Sequence, residues 1–203
     1  MNLLIDDLPE TVNGIPIYTD YRNMVQFELL MQDDELSALE KASLALNLLY
    51  REPVSDFKTA WHGLLWYHHK GMEPQVEKKH SQANSITVLY DFEQDAGYIY
   101  AAFWQVYRID LQAIPLHWWT FRELLLHLPD TCTMGKIMQI RGIDLSRLKG
   151  PEKKYYQRMK AIFAIRRKDV YTSMTATERE QKFREQVLAR YQEAQKWLSE
   201  KNK

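Results

Sequence analysis

The stretch that most constrains this chain is residues 91–129, DFEQDAGYIYAAFWQVYRIDLQAIPLHWWTFRELLLHLP. It holds three of the six tryptophans, and tyrosines and phenylalanines crowd around them. Aromatic side chains bury large areas, so a segment this dense in them must sit at the centre of a core. Its apolar residues recur at helical spacing in two blocks. Ile99, Ala102, Phe103, Val106 and Tyr107 form the first, over residues 93–107. Trp118, Phe121, Leu124, Leu125 and Leu128 form the second, over residues 115–128, with Trp119 and Leu126 widening the stripe. Pro115 suits the first turn of that second helix.

The rest of the chain supports a helical protein. Seven glycines and seven prolines in 203 residues are too few for an all-β fold, and Leu, Met, Glu, Gln, Lys and Ala are plentiful. At 45% apolar and 27% charged, the composition is that of a globular domain. Near the N-terminus, residues 3–5 and 15–18 are extended apolar runs. Asn13-Gly14 lies between them and predicts a β-hairpin. Asp20 reads as the cap of a helix reaching Met31. Asp33 and Asp34 then cap a helix over residues 35–50, with Leu36, Leu39, Ala42, Leu46 and Leu49 on its core face. Ser55 or Asp56 caps a third helix, residues 57–70, whose face is Phe57, Trp61, Leu64, Leu65 and His68, and Gly71 ends it. Residues 72–84 read as a loop. Residues 85–90, SITVLY, fit either an extended piece or a first helical turn. Residues 134–140 read as a short apolar helix or extended piece. A basic helix over residues 152–168 has Tyr155, Tyr156, Met159, Ile162, Phe163 and Ile165 as its apolar positions. In the last helix, Phe183, Val187, Tyr191, Ala194 and Leu198 repeat at helical spacing.

The architecture expected is mainly α: a single-domain helical bundle with a short N-terminal hairpin and a long C-terminal helix. Charge divides it into a body, residues 1–150, and a basic C-terminal region, residues 151–203. The body carries 13 Lys/Arg against 20 Asp/Glu, and the C-terminal region 14 against 7. A basic patch of Lys153, Lys154, Arg158, Arg166, Arg167 and Lys168, joined by Lys160, has tyrosines interleaved. That composition suits nucleic acid, but those tyrosines fall on the apolar stripe and are expected to pack rather than to stack on bases. A solvated helix complementing an acidic body or partner is the preferred reading.

No pattern for catalysis or a cofactor is present. GxSxG, phosphate-loop and GxGxxG motifs are lacking. Cys132 is the single cysteine, which excludes an internal disulfide and a cysteine zinc cluster and suits a reducing cytoplasm. Six histidines (His62, His68, His69, His80, His117 and His127) form no metal-binding array. Asp91, Glu93 and Asp95 mimic the start of a calcium loop, but Ala96 stands where a glycine must turn and Ala102 where a bidentate glutamate belongs. Asp91 as a helix cap, with Glu93 and Asp95 near the positive helix end, accounts for the same residues. The acidic N-terminus is no signal peptide, and apolar runs are too short to span a membrane. The expectation is therefore no enzyme, no metal and no cofactor.

The spaced aromatics carry a resemblance. Residues 90–95 (YDFEQD), 98–103 (YIYAAF), 107–111 (YRIDL) and 117–121 (HWWTF), then Leu124 and Leu125, resemble the bacteriophage gene product fifteen family of tailed phages and prophages of Gram-positive bacteria. Residues 18–22 (YTDYR), Phe27-Glu28 and residues 137–141 extend the likeness across most of residues 1–145. Members are encoded between the major tail protein and the tape measure protein, the slot of tail assembly chaperones. The resemblance therefore implies a non-enzymatic assembly factor in the host bacterial cytoplasm. Its implied partners are the tape measure protein and tail tube subunits, with a homo-oligomer as a further option that the sequence leaves open. The alternatives are a structural tail or neck component retained in the virion, and a nucleic-acid-binding regulator using the basic region. Trp61, Trp104, Trp118, Trp119 and Trp197 are the candidate partner-binding residues.

Overall fold

The computed structural model describes residues 3–72 and 88–166. Its order is β1 (Thr11–Val12), β2 (Ile15–Pro16), α1 (Tyr21–Met31), α2 (Ala38–Leu49) and α3 (Phe57–His68). Then come α4 (Ala96–Ala102), a π-helix (Phe103–Tyr107), α5 (Trp118–Leu126), α6 (Thr133–Gly142), a 3-10 turn (Leu145–Arg147) and α7 (Gly150–Ile162). The protein is mainly helical with a short N-terminal antiparallel hairpin, as the sequence predicts. Of the described residues, 3–32, 38–72 and 88–165 form one compact unit. Residues 33–37 and Arg166 group apart from it. The long C-terminal helix expected from Phe183 to Leu198 lies outside the described residues.

The hairpin turn is where Asn13-Gly14 puts it. Both residues have positive φ, 53° and 77°, as a two-residue primed turn requires. Val12 pairs with Ile15 and Thr11 with Pro16. The first strand is therefore Thr11–Val12, and residues 3–5 are not a strand: they form an exposed turn, with Leu4 91% and Ile5 80% exposed. After β2 the chain runs as an extended strap between two distant segments. Tyr18 N–H donates to Leu49 O (2.7 Å) and Arg51 N–H to Pro16 O (3.0 Å). Two residues on, Trp118 N–H donates to Thr19 O (2.9 Å) and Tyr21 N–H to Leu116 O (2.8 Å). The strap thus satisfies backbone groups at the end of α2 and the start of α5 together.

Aspartates set the helix starts. Asp20 accepts from Arg22 N–H and Asp56 from Lys58 and Thr59 N–H. Asp33 caps only a turn, through Glu35 N–H, and α2 begins at Ala38. Leu39 is consequently 73% exposed, and the buried face of α2 is Ala45, Leu46 and Leu49. On α3 the buried face is Ala60, Gly63, Leu64 and Tyr67, rotated from the expected one, and Phe57 is 45% exposed. α3 ends in a Schellman motif: Gly71 N–H donates to Trp66 O and Lys70 N–H to Tyr67 O. Lys70, rather than Gly71, takes the left-handed C′ position at φ 58°, and Gly71 follows at 75°.

α1 packs on α2 and α5, α2 on α3, α4 on α6, and α6 on α7. At the centre lie Trp118, Trp119, Phe121, Phe103 and Tyr67, all almost fully buried. α5 begins at Trp118, later than Pro115 suggests. The strap holds residues 116–117 extended, and the His117 side chain caps the helix through Trp119 N–H (3.1 Å). Among the described residues, no helix is long and apolar enough to cross a membrane.

Candidate protein-binding surface

The start of α4 is set by two aspartates with different tasks. Asp91 Oδ1 accepts from Glu93 N–H (2.9 Å) and Gln94 N–H (2.6 Å), so it caps the turn before α4, and the helix expected from residue 93 begins only at Ala96. Asp95 does more than favour a positive helix end. It is 1% exposed, and both its oxygens accept from the Arg141 guanidinium, Nη2 at 3.1 Å and Nη1 closer still. Arg141, itself buried on α6, also donates to Leu89 O (3.0 Å) and Phe163 O (2.7 Å). A planar fork that meets a carboxylate in two places fixes orientation as well as distance. α4 is thereby pinned to α6 at its first turn.

From Ala96 to Tyr107 the helix carries no charged residue. Ile99, Ala102 and Phe103 face inward. Phe103 stacks on Phe121, with ring centroids 5.0 Å apart. At Phe103 the α-helix widens into a π-turn, which ends at Arg108 in the left-handed conformation, φ 57°. π-turns insert one extra residue into a helix. Here Tyr107 reaches inward, its hydroxyl donating to Leu124 O (2.9 Å), while Trp104 stays outside at 50% exposure. Gly97, Ala101 and Trp104 follow at spacings of four and three, so they share the outer face. Tyr98 (45% exposed) and Tyr100 flank them. Tyr100 Oη donates to Asp110 Oδ1 (3.2 Å), a bond that raises the phenol pKa. It also ties α4 to the turn that carries exposed Ile114. The result is an uncharged surface of three aromatic rings on a rigid helix, with small residues between them.

The other tryptophans separate clearly. Trp118 and Trp119 are fully buried and offer no surface to a partner. Trp118 Nε1 donates to His68 O (3.1 Å) and Trp119 Nε1 to Tyr67 O (2.7 Å), so even their polar edges are spent on α3. Trp61 is half-buried on α3, its ring parallel to Phe57 at 6.5 Å and edge-on to Phe27, which makes it part of a different patch. Trp197 lies outside the described residues. Trp66, which carries no distinguishing pattern in the sequence, packs edge-on to Trp119 at 5.6 Å. It also lines a cleft of about 630 Å³ with Asn13, Lys58 and His62. A second groove of about 550 Å³ is lined by Leu89, Leu126, Leu128, Met138 and Ile143 together with Asp130 and Gln139.

α7 bears Lys153, Lys154 and Arg158, with Lys160 beside them. Arg166 follows the helix, and Arg167 and Lys168 lie outside the described residues. α7 stops at Ile162 and none of its residues is buried. Tyr155 (56% exposed) and Ile162 (52%) are thus outside, against the expectation that the whole apolar stripe packs. Cys132 caps α6: its sulfur accepts from Gly135 N–H (3.4 Å) and donates to Pro129 O (3.2 Å). His117 and His69 both have pKa values lowered first by burial. His68 pairs with Glu28 (3.0 Å). Among the described residues, no cluster of three metal-ligating side chains occurs.

These features define a mainly helical protein with an aromatic core and an aromatic outer face. The chain belongs to the family described as Bacteriophage Gp15 protein, whose model matches residues 4–165. No curated protein and no solved structure matches it.

Proposed function

We infer that this protein is a tail assembly chaperone-like factor, non-enzymatic and acting in the host cytoplasm. In this reading it binds the tape measure protein, tail tube subunits or both during tail morphogenesis. The observation that carries this reading is the uncharged outer face of α4 and the π-helix, with Tyr98, Tyr100 and Trp104 exposed, on a member of a phage protein family. Exposed aromatics grouped on a rigid helix are the residues most often found as binding hot spots. A tape measure is long, helical and partly apolar. Such a chain aggregates when uncovered, and a helix in an apolar groove is one established way to cover it.

Co-expression with the neighbouring tape measure protein tests the reading. The wild-type protein keeps the tape measure soluble and co-purifies with it. Trp104→Ala weakens the complex by about 2 kcal/mol or more, roughly thirtyfold, with thermal stability unchanged because the ring is half exposed. An unchanged tape measure solubility, with no complex, refutes the reading. Stoichiometric presence in purified virions supports instead a structural tail or neck component.

A further inference from the structure

We propose that the acidic, apolar N-terminal segment of one copy seats on the basic face of α7 of a second copy, making a head-to-tail self-association. This goes beyond the proposed function and stands without a tape measure. Two exposed surfaces of one compact unit carry the inference, and they are complementary in both charge and polarity. Residues 3–10, LLIDDLPE, contain three acidic residues and no basic one. Leu4 and Ile5 project almost wholly into solvent, and Asp7 is exposed beside them. Residues 150–162 contain four basic residues and one acidic residue. On α7, Lys154, Tyr155, Arg158 and Ile162 recur at helical spacing and are all exposed.

Exposed aliphatic side chains are costly to leave in water when they cluster. Neither surface covers the other within one chain, since both remain exposed. A second copy supplies each with its complement. Ile162 and Tyr155 meet Leu4 and Ile5, while Lys154 and Arg158 meet the carboxylates. The aliphatic component favours a protein over nucleic acid here, because a phosphate backbone offers no partner for Ile162. The two surfaces differ, so the contact is heterologous. Such a contact leaves one free copy of each surface at the ends and propagates into rings or open chains. One short segment on three helical turns buries far less than about 1,000 Å², so a single contact is weak and depends on concentration and salt.

Sedimentation velocity on the full chain tests this. The wild type forms species larger than a dimer as concentration rises, and added salt dissociates them. Ile5→Lys/Asp7→Lys spoils one surface, and Lys154→Glu/Arg158→Glu spoils the other. Each is monomeric alone, its dissociation constant raised about a hundredfold or more by like-charge contact. Mixed together, each variant retains the surface the other needs, so association returns in the mixture although each variant alone is monomeric. Far-UV circular dichroism checks that each variant is folded. Leu4→Ser/Ile5→Ser probes the same contact without reversing charge and also abolishes association. The proposal is overturned by a wild type that is monomeric at every concentration, or by folded variants that still associate. It is also overturned by a mixture that stays monomeric, or by an α7 variant that loses DNA binding while self-association persists.

Discussion

Arg141 is the side chain whose loss is expected to destabilise the aromatic outer face most. It is 6% exposed, its partner Asp95 is 1% exposed, and they join α6 to the first turn of α4. Arg141→Met leaves the Asp95 carboxylate buried without its counter-charge, a change that costs about 3–5 kcal/mol. It also releases Leu89 O and Phe163 O, but both residues are partly exposed and water replaces much of those bonds. The expected loss is therefore about 4 kcal/mol. For a protein of this size that lowers Tm by about 8–16 °C. Asp95→Asn keeps an acceptor for Asp91 N–H and for the guanidinium but removes the charge, and costs about 2–3 kcal/mol. The double variant leaves no buried charge unpaired, so it loses less than the sum by at least about 1.5 kcal/mol. Urea unfolding of the four proteins, with the slope checked for constancy, measures the cycle. Additivity within about 0.5 kcal/mol, or a loss below about 1 kcal/mol for Arg141→Met, would falsify the claim that this pair anchors α4.

Gly135→Ala and Gly97→Ala make an opposed pair. A Cβ at Gly135 would sit 2.0 Å from Pro129 O, a backbone atom, so that change destabilises by about 2 kcal/mol or more. A Cβ at Gly97 meets nothing within 4 Å in a helix, so Ala there stabilises by about 0.5–1 kcal/mol; thermal melts compare the two directly. Trp118→Ala costs about 3–5 kcal/mol by opening a cavity in the core, whereas Trp104→Ala leaves chemical unfolding unchanged. In the pH dependence, His117 and His69 have folded pKa values below the ordinary histidine value of about 6.5, so the unfolded chain binds their protons first. Their contribution is complete above the unfolded pKa and is lost as pH falls from about 6.5 through the depressed folded values. His117→Asn, whose amide oxygen takes over the cap from Nδ1, flattens that fall; an equally steep loss in this variant between pH 7 and 5 counts against the assignment.

What the amino-acid sequence determined by itself is local. Asp20 and Asp56 mark helix starts because a carboxylate two or three residues before a free N–H reaches it without help from any distant part of the chain. Asn13-Gly14 places the turn because few residues adopt positive φ twice in succession. The stripes Ile99–Ala102–Phe103 and Trp118–Phe121–Leu125 announce burial through their spacing, and the aromatic pattern of residues 90–125 places the chain in its family. Tertiary structure decided which aromatic faces outward. Spacing puts Trp118 on a core stripe and leaves Trp104 off one, but only packing puts Trp104 on a π-turn at half exposure and bonds Trp118 Nε1 to His68 O, fifty residues away. The exposure of Leu39, Tyr155 and Ile162 was equally hidden, because periodicity gives a helix a face without saying what covers it. Asp95 reads locally as one more acid at a helix start. Its partner is 46 residues on, and only the packing of α6 on α4 turns that acid into the buried anchor of the surface.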